Sequence, residues 1–330
     1  MSFFRPKPLS FRPDQLYRVP TDDGSAIALG RYLPRGNRRF HEPVVLAHGL
    51  GTNRLGLDFD ERYSVARGLA RRGFEAWVLE LRGLGLGGSA EGTTFDIEAS
   101  HDVTAALRAV LSTGTAEKVL WVGHSRGGML AYAHLARNPQ APIAALVALG
   151  APLTWESSAG LRGFVGMVQP LLNLPVVPLA IFGKSFASAG LPPQPIGKYL
   201  ARAENMEPEV IRQAIAHVSA DVAGGVARQF ARWVINDTFD GNDGFDYREA
   251  LREVRVPVLA LAGAADFLAT PGGVHSASRF VGGPVEKVTA GVATGFSVDY
   301  GHGDLALGRN APDEIVPRIA EFLRRHATAV

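Results

Sequence analysis

The sequence predicts an α/β fold: a mostly parallel central sheet flanked by helices, with a largely helical cap inserted late in the chain. Three observations predict it. Short, continuously apolar runs of the kind that parallel strands buried on both faces require alternate with amphipathic stretches at helical spacing. The apolar runs end in glycine-rich or aspartate-bearing turns, the places where open α/β sheets carry their chemistry. After Gly150-Ala151-Pro152 the alternation stops for about 100 residues, far longer than an ordinary connection, and resumes at Val256-Pro257-Val258-Leu259-Ala260-Leu261.

Taken in order, residues 1–14 form a basic, proline-rich arm with no apolar core of secretory type, expected to be flexible on a cytoplasmic protein. Leu16 to Pro34 reads as a β-hairpin turning at Asp22-Asp23-Gly24. Pro43 to Ala47 is a buried strand running into His48-Gly49-Leu50-Gly51. Glu61 to Gly73 is a helix with Val65, Leu69 and Ala70 on one face, Arg67, Arg71 and Arg72 largely on the other, and Gly73 as its stop. Phe74 to Leu81 is a strand, Asp96 to Leu111 an amphipathic helix, Lys118 to Val122 a strand, and Ile143 to Leu149 another. The insertion, residues 153–250, is rich in helix formers and large apolar residues: Trp155, Phe164, Phe182, Phe186, Phe230 and Trp233. Residues 15–152 and 251–330 make the core. Pro312 to Arg325 closes it as a helix, with Pro317 expected to limit the regular part to the second half.

Composition narrows the function classes. Lys plus Arg (34) nearly balances Asp plus Glu (32) with no long basic run, so nucleic acid is a poor partner. With no cysteine, disulfides, cysteine nucleophiles and thiolate metal sites are excluded. Phe164 to Gly183 is charge-free and about as long as a bilayer crossing. Pro170, Pro175 and Pro178 would break a spanning helix, which makes it a lid segment rather than an integral membrane segment.

The chemistry centres on Gly123-His124-Ser125-Arg126-Gly127, set between the apolar run Val119 to Val122 and a helix-like stretch from Gly128. A serine at the tip of a sharp strand-to-helix turn presents its hydroxyl clear of the sheet, and Gly123, Gly127 and Gly128 supply the room this turn needs. A serine hydroxyl needs a base, an acid to orient that base, and donors for an oxyanion. Asp266 follows a strand end and is the candidate acid, with Glu156 as its rival. His302, in the loop before the last helix, is the candidate base. The backbone N–H groups of Leu50 and Arg126 are the candidate oxyanion donors. Gly83-Leu84-Gly85-Leu86-Gly87-Gly88 formally fits a dinucleotide fingerprint, with Asp102 further on, but Ser89 to Thr94 is a poor helix start, so no cofactor is expected. Asp102 instead reads as a residue that pairs or caps on its helix, and His101, His124 and His134 lack metal-ligand spacing.

On the His48-Gly49-Leu50-Gly51 segment, the serine turn, Asp266 and Gly301-His302-Gly303, the chain resembles the α/β-hydrolase superfamily from about Tyr17 to His326. Val19-Pro20-Thr21-Asp22-Asp23-Gly24 and Gly73-Phe74-Glu75-Ala76-Trp77 are similar to segments of its acid-lipase branch. The resemblance implies ester hydrolysis through an acyl-serine intermediate on a small-molecule ester, with Ser125 as nucleophile, His302 as base and Asp266 as acid. Arg126 stands where such lipases commonly carry glutamine, and neither a secretion signal nor cysteine is present; both departures point away from triacylglycerol lipase activity. An acyltransferase or thioesterase would use the same three residues, and a non-catalytic binding protein would share the fold without using them.

Overall fold

The apolar runs become one eight-stranded sheet in the computed structural model, which describes residues 12–155, 159–168, 172–180 and 201–330. In chain order the elements are β1 (Gln15–Pro20), β2 (Ala26–Tyr32), β3 (Val44–Ala47), α1 (Val65–Ala70), β4 (Ala76–Glu80), α2 (Phe95–Ile97), α3 (Val103–Leu111), β5 (Val119–His124), α4 (Arg126–Arg137) and β6 (Ile143–Leu149). The insertion contributes α5 (Ala159–Val168), β7 (Val176–Val177), α6 (Pro208–His217), β8 (Val222–Ala223), α7 (Gly224–Asn236) and α8 (Tyr247–Ala250). The chain closes with β9 (Val258–Gly263), α9 (Pro271–His275), α10 (Ala277–Phe280), β10 (Val285–Ala290), α11 (Asp304–Leu307) and α12 (Ala311–Arg325).

The strand order is β1-β2-β4-β3-β5-β6-β9-β10. β1 and β2 pair antiparallel, as do β2 and β4, and every pairing from β4 to β10 is parallel. The inner strands β3, β5 and β9 are buried along their whole length, which is why their sequences are unbroken apolar runs rather than alternating ones. One core lies between the sheet and α3 and α4 and takes in Trp77 and Trp121. The other lies under α1 and α12 around Phe74, Ile315 and Phe322. Each large side chain withdrawn from water in these layers contributes about 1.5–3 kcal/mol.

The insertion shares both layers. Trp155, Trp233 and Phe239 join the first core, where Trp233 stands edge-on to Phe95 with ring centres 4.8 Å apart. Met206, Val210, Ile211 and Val218 join the second. Its ends are tied together: Asp237, itself left-handed at φ 51°, accepts the Trp155 N–H at 2.5 Å, and Arg248 donates to the Asp237 and Leu153 carbonyls at 2.6 and 2.7 Å. Of the charge-free stretch, residues 169–171 and 181–183 lie outside the described residues, as do Phe186 and the side chains of Phe164 and Phe182. No described helix is long and apolar enough to cross a membrane.

Several expectations are corrected. The helix expected over Glu61 to Gly73 is only α1: Asp60 takes the N–H groups of Arg62 and Tyr63 at 2.9 and 2.7 Å and holds that stretch in a turn, and Ser64 caps the helix by accepting from Arg67 at 3.0 Å. Arg67 is not on an exposed face; it is buried and pairs with Asp58 at 2.9 Å. Pro317 does not shorten the last helix, which runs unbroken from Ala311 to Arg325. The lost backbone bond is offset by burial of Ile315, Val316 and Ile319 and by Glu314, which accepts from Ser297 N–H and Tyr300 Oη at 2.9 and 2.7 Å. The edge strand β10, half-polar along its length, was not foreseen. Residues 1–11 of the basic arm lie outside the described residues, whereas Asp14 is already fixed, accepting the Leu33 N–H at 2.8 Å.

Candidate active site

β5 delivers the chain to Ser125 and α4 leaves from it, and between them Ser125 adopts φ 53° and ψ −118°, a conformation that side-chain-bearing residues rarely take. Its neighbours explain how the turn closes. A Cβ on Gly123 would lie 2.2 Å from the Gly127 carbonyl carbon, and one on Gly127 would lie 2.0 Å from the Ala47 carbonyl oxygen. Ser125 N–H donates to Leu149 O at 2.8 Å, and its carbonyl accepts from Gly128 and Met129 at 3.0 and 3.1 Å, which locks the turn to β6 and starts the helix. The Arg126 N–H, at the first position of α4, has no intrahelical acceptor and is available beside the serine.

Asp266 and His302 come together. The Asp266 carboxylate is buried just past β9; one oxygen accepts from Leu268 and Ala269 N–H at 2.9 and 2.8 Å, and the other meets His302 Nδ1 at 2.7 Å. The histidine loop lies on the end of β9: Ala265 N–H donates to Tyr300 O at 2.8 Å, and a Cβ on Gly263 would lie 2.4 Å from that oxygen. His124 links this pair to the serine turn. Its Nε2–H donates to His302 O at 3.1 Å and its ring centre stands 4.7 Å from that of His302. Burial, and secondarily His302, push the His124 imidazole down to about 3, so it is neutral. A Cβ on Gly150, next to the carbonyl that holds Ser125, would lie 3.3 Å from His302 Nδ1. Glu156, the rival acid, lies outside the described residues.

Leu50 sits in the turn after β3, and the same turn approaches Ser125: a Cβ on Gly49 would lie 3.3 Å from Ser125 Cβ. Strand-like bonds from the insertion fix this loop, with Ala220 N–H donating to Gly51 O at 2.9 Å and Asn53 N–H to Val218 O at 3.0 Å. Arg126 turns its side chain inward. Its guanidinium pairs with buried Glu98 at 2.9 Å and approaches His48 Nδ1 at 3.4 Å, so its charge is spent beneath the site. Burial pushes Glu98 up to about 7 against the pull of Arg126, and burial followed by Arg126 pushes His48 down to about 3. Glu98 opens a π-helical turn, Glu98–Asp102, that joins α2 to α3, the kind of irregularity that often accompanies function.

The glycine run 83–88 folds back on itself, with Gly83 N–H donating to Gly88 O at 2.6 Å, and the next helix opens only at Phe95 under a Thr94 cap. Phosphate would find no helix N-terminus there. Asp102 pairs with Arg82 at 2.6 Å in the interior. Among the described residues, Asp22, Asp23 and His101 bring three potential ligand atoms within 4.8 Å at the surface, where the Arg82 guanidinium already engages Asp23 at 2.6 Å.

The sequence matches the family model of the α/β hydrolase fold over residues 42–288. The chain belongs to this family. No curated protein matches it. Among solved structures, this α/β hydrolase is similar to an esterase from Thermogutta terrifontis at 20% identity and TM-score 0.64, with 95% of this chain and 100% of that chain covered. It is also similar to an esterase from Exiguobacterium antarcticum (16%, TM-score 0.59, 93% and 98% covered) and to one from a Rhodococcus species (17%, 0.55, 94% and 97%). At these identities the likeness is one of fold. Sequence reasoning did not single out Glu98, Asn205 or Asp304, all buried polar residues beside the site, whose partners only the fold brings to them.

Proposed function

We propose that this α/β hydrolase is a serine carboxylic-ester hydrolase, and the observation that carries the reading is the buried His302–Asp266 pair held against the strained Ser125 turn. With Nδ1–H donated to Asp266, His302 keeps its lone pair on Nε2. That nitrogen takes the Ser125 hydroxyl proton as Oγ attacks the ester carbonyl, while Asp266 stabilises the imidazolium. The N–H groups of Leu50 and Arg126 receive the oxyanion. Collapse expels the alcohol, protonated by His302, and leaves acyl-Ser125. Water then attacks with His302 as base, releasing the acid and restoring the serine.

A fairly apolar acyl group is supported by the cluster Val177, Val222, Ala223, Val226 and Ala227, in the inserted segment, which packs with Leu50 of the oxyanion loop. In this reading residues 153–250 act as a cap over the nucleophile. The esterase names of the structural neighbours agree with ester chemistry. A fluorophosphonate probe tests the proposal: covalent mass on Ser125 is expected, and an unlabelled protein would be a binding protein on this fold. Adding an alcohol or thiol acceptor to a turnover assay separates hydrolysis from acyl transfer by the ratio of products.

A further inference from the structure

Asp304, two residues past His302, is a fully buried carboxylate for which no cationic partner is found among the described residues. An anion removed from water without a countercharge is costly unless N–H groups surround it. Three do. Gly301, immediately before His302, donates to Oδ2 at 2.9 Å; the other two donors come from the inserted segment, Asn205 Nδ2 to Oδ2 at 2.8 Å and Arg202 N–H to Oδ1 at 2.9 Å. Asn205 is itself buried and threaded through the same loop, donating to Asp299 O at 2.9 Å and accepting from Arg309 N–H at 2.7 Å. There is no slack beside it: a Cβ on Gly301 would lie 2.8 Å from Asp304 and 2.9 Å from Arg202. One carboxylate therefore joins a segment about a hundred residues upstream to the loop that carries the histidine.

We propose that Asp304 and Asn205 are positioning residues that fasten His302 to the inserted segment, an inference that rests on His302 being the base of the reaction. The anion gathers donors from both sides, so the loop cannot shift without leaving a buried charge short of hydrogen bonds. Reaction geometry is sensitive to such shifts, since a displacement of about 1 Å costs on the order of a hundredfold in rate.

The test compares Asn205→Ala with Tyr63→Phe, which removes another bond to this segment, Tyr63 Oη to Glu207 at 2.7 Å, without touching the histidine loop. Asn205→Ala is expected to lose about 10- to 100-fold in kcat with KM changed less than about threefold. It should also shift the low-field proton signal of the His302–Asp266 bond, while Tyr63→Phe leaves both unchanged. Asp304→Asn should act in the same direction and further; if it does not fold, Asn205→Ala decides. Wild-type kcat and proton signal in Asn205→Ala, a loss confined to KM, or the same loss in Tyr63→Phe would each overturn the proposal. Failure of the serine reading looks different: Ser125→Ala would retain turnover, and the proton signal in that variant would still report where His302 sits.

Discussion

Ser125→Ala should remove nearly all turnover while leaving the fold intact, a loss on the order of a millionfold in kcat for the nucleophile of such a unit. His302→Ala should match it, and the double variant should be no worse than either, because in the proposed mechanism the two act together. Asp266→Asn should be severe with a larger residue of activity, since in the proposed mechanism it orients rather than reacts. Steady-state rates of the purified variants check all three, and an active Ser125→Ala would end the mechanism. Ser125, Asp266 and His302 stand out in the sequence as candidates because each lies at a strand end or in the loop facing it; Asn205 and Asp304 do not, because their partners are brought together only by the fold. Buried histidines also set an acid limit. His48 and His124, held neutral at about 3 against 6.5 in the unfolded chain, stabilise the protein at pH 7, and that contribution is lost as pH falls below about 6.5. Glu98, raised to about 7 from 4.5, works the other way, its contribution growing as pH falls toward 5. Two histidines outweigh one glutamate, so the joint contribution of these three groups should drop by about 1–2 kcal/mol between pH 7 and pH 5. Urea midpoints at the two pH values measure it, and equal midpoints would contradict the burial of these groups.

At the scale of elements, the contact between β5, α4 and β3 decides the site. Gly127→Ala would push a methyl into the Ala47 carbonyl, 2.0 Å away by backbone geometry, and should cost at least about 1–3 kcal/mol while displacing Ser125. A urea melt read beside probe labelling of Ser125 checks this; a variant with wild-type stability and labelling would show that strand and helix can part without harm. The inner strands were readable from sequence because a run apolar on both faces has few alternatives. Harder elements were those whose limits depend on side-chain bonds: α1 starts late because Asp60 and Ser64 claim backbone N–H groups, and α12 survives Pro317 because Glu314 and a buried face hold it. β10 escaped notice because an edge strand needs only one apolar face and Glu286 and Lys287 broke the pattern.

At the scale of the molecule, the insertion is built into both cores, and its apolar cluster beside Leu50 sets an expectation for substrate choice. Each methylene buried there would contribute about 0.8 kcal/mol, so kcat/KM should rise from p-nitrophenyl acetate through the butyrate and hexanoate toward the octanoate until that apolar surface is covered. Fastest turnover of the acetate would mean a small or polar acyl site. The stretch between β6 and β9 stands out in the sequence as an interrupted alternation; its sharing of both cores does not, since helical periodicity shows that a face is apolar and not what it meets. The whole molecule also carries the burden of Ser125. Its φ of 53° is comfortable only for glycine, so Ser125→Gly should silence the enzyme and raise its stability by about 1 kcal/mol or more. Thermodynamics and heredity therefore pull apart at a single codon. Under the proposed mechanism, a gene copy freed from the demand for turnover would become sturdier by the same change that disables it.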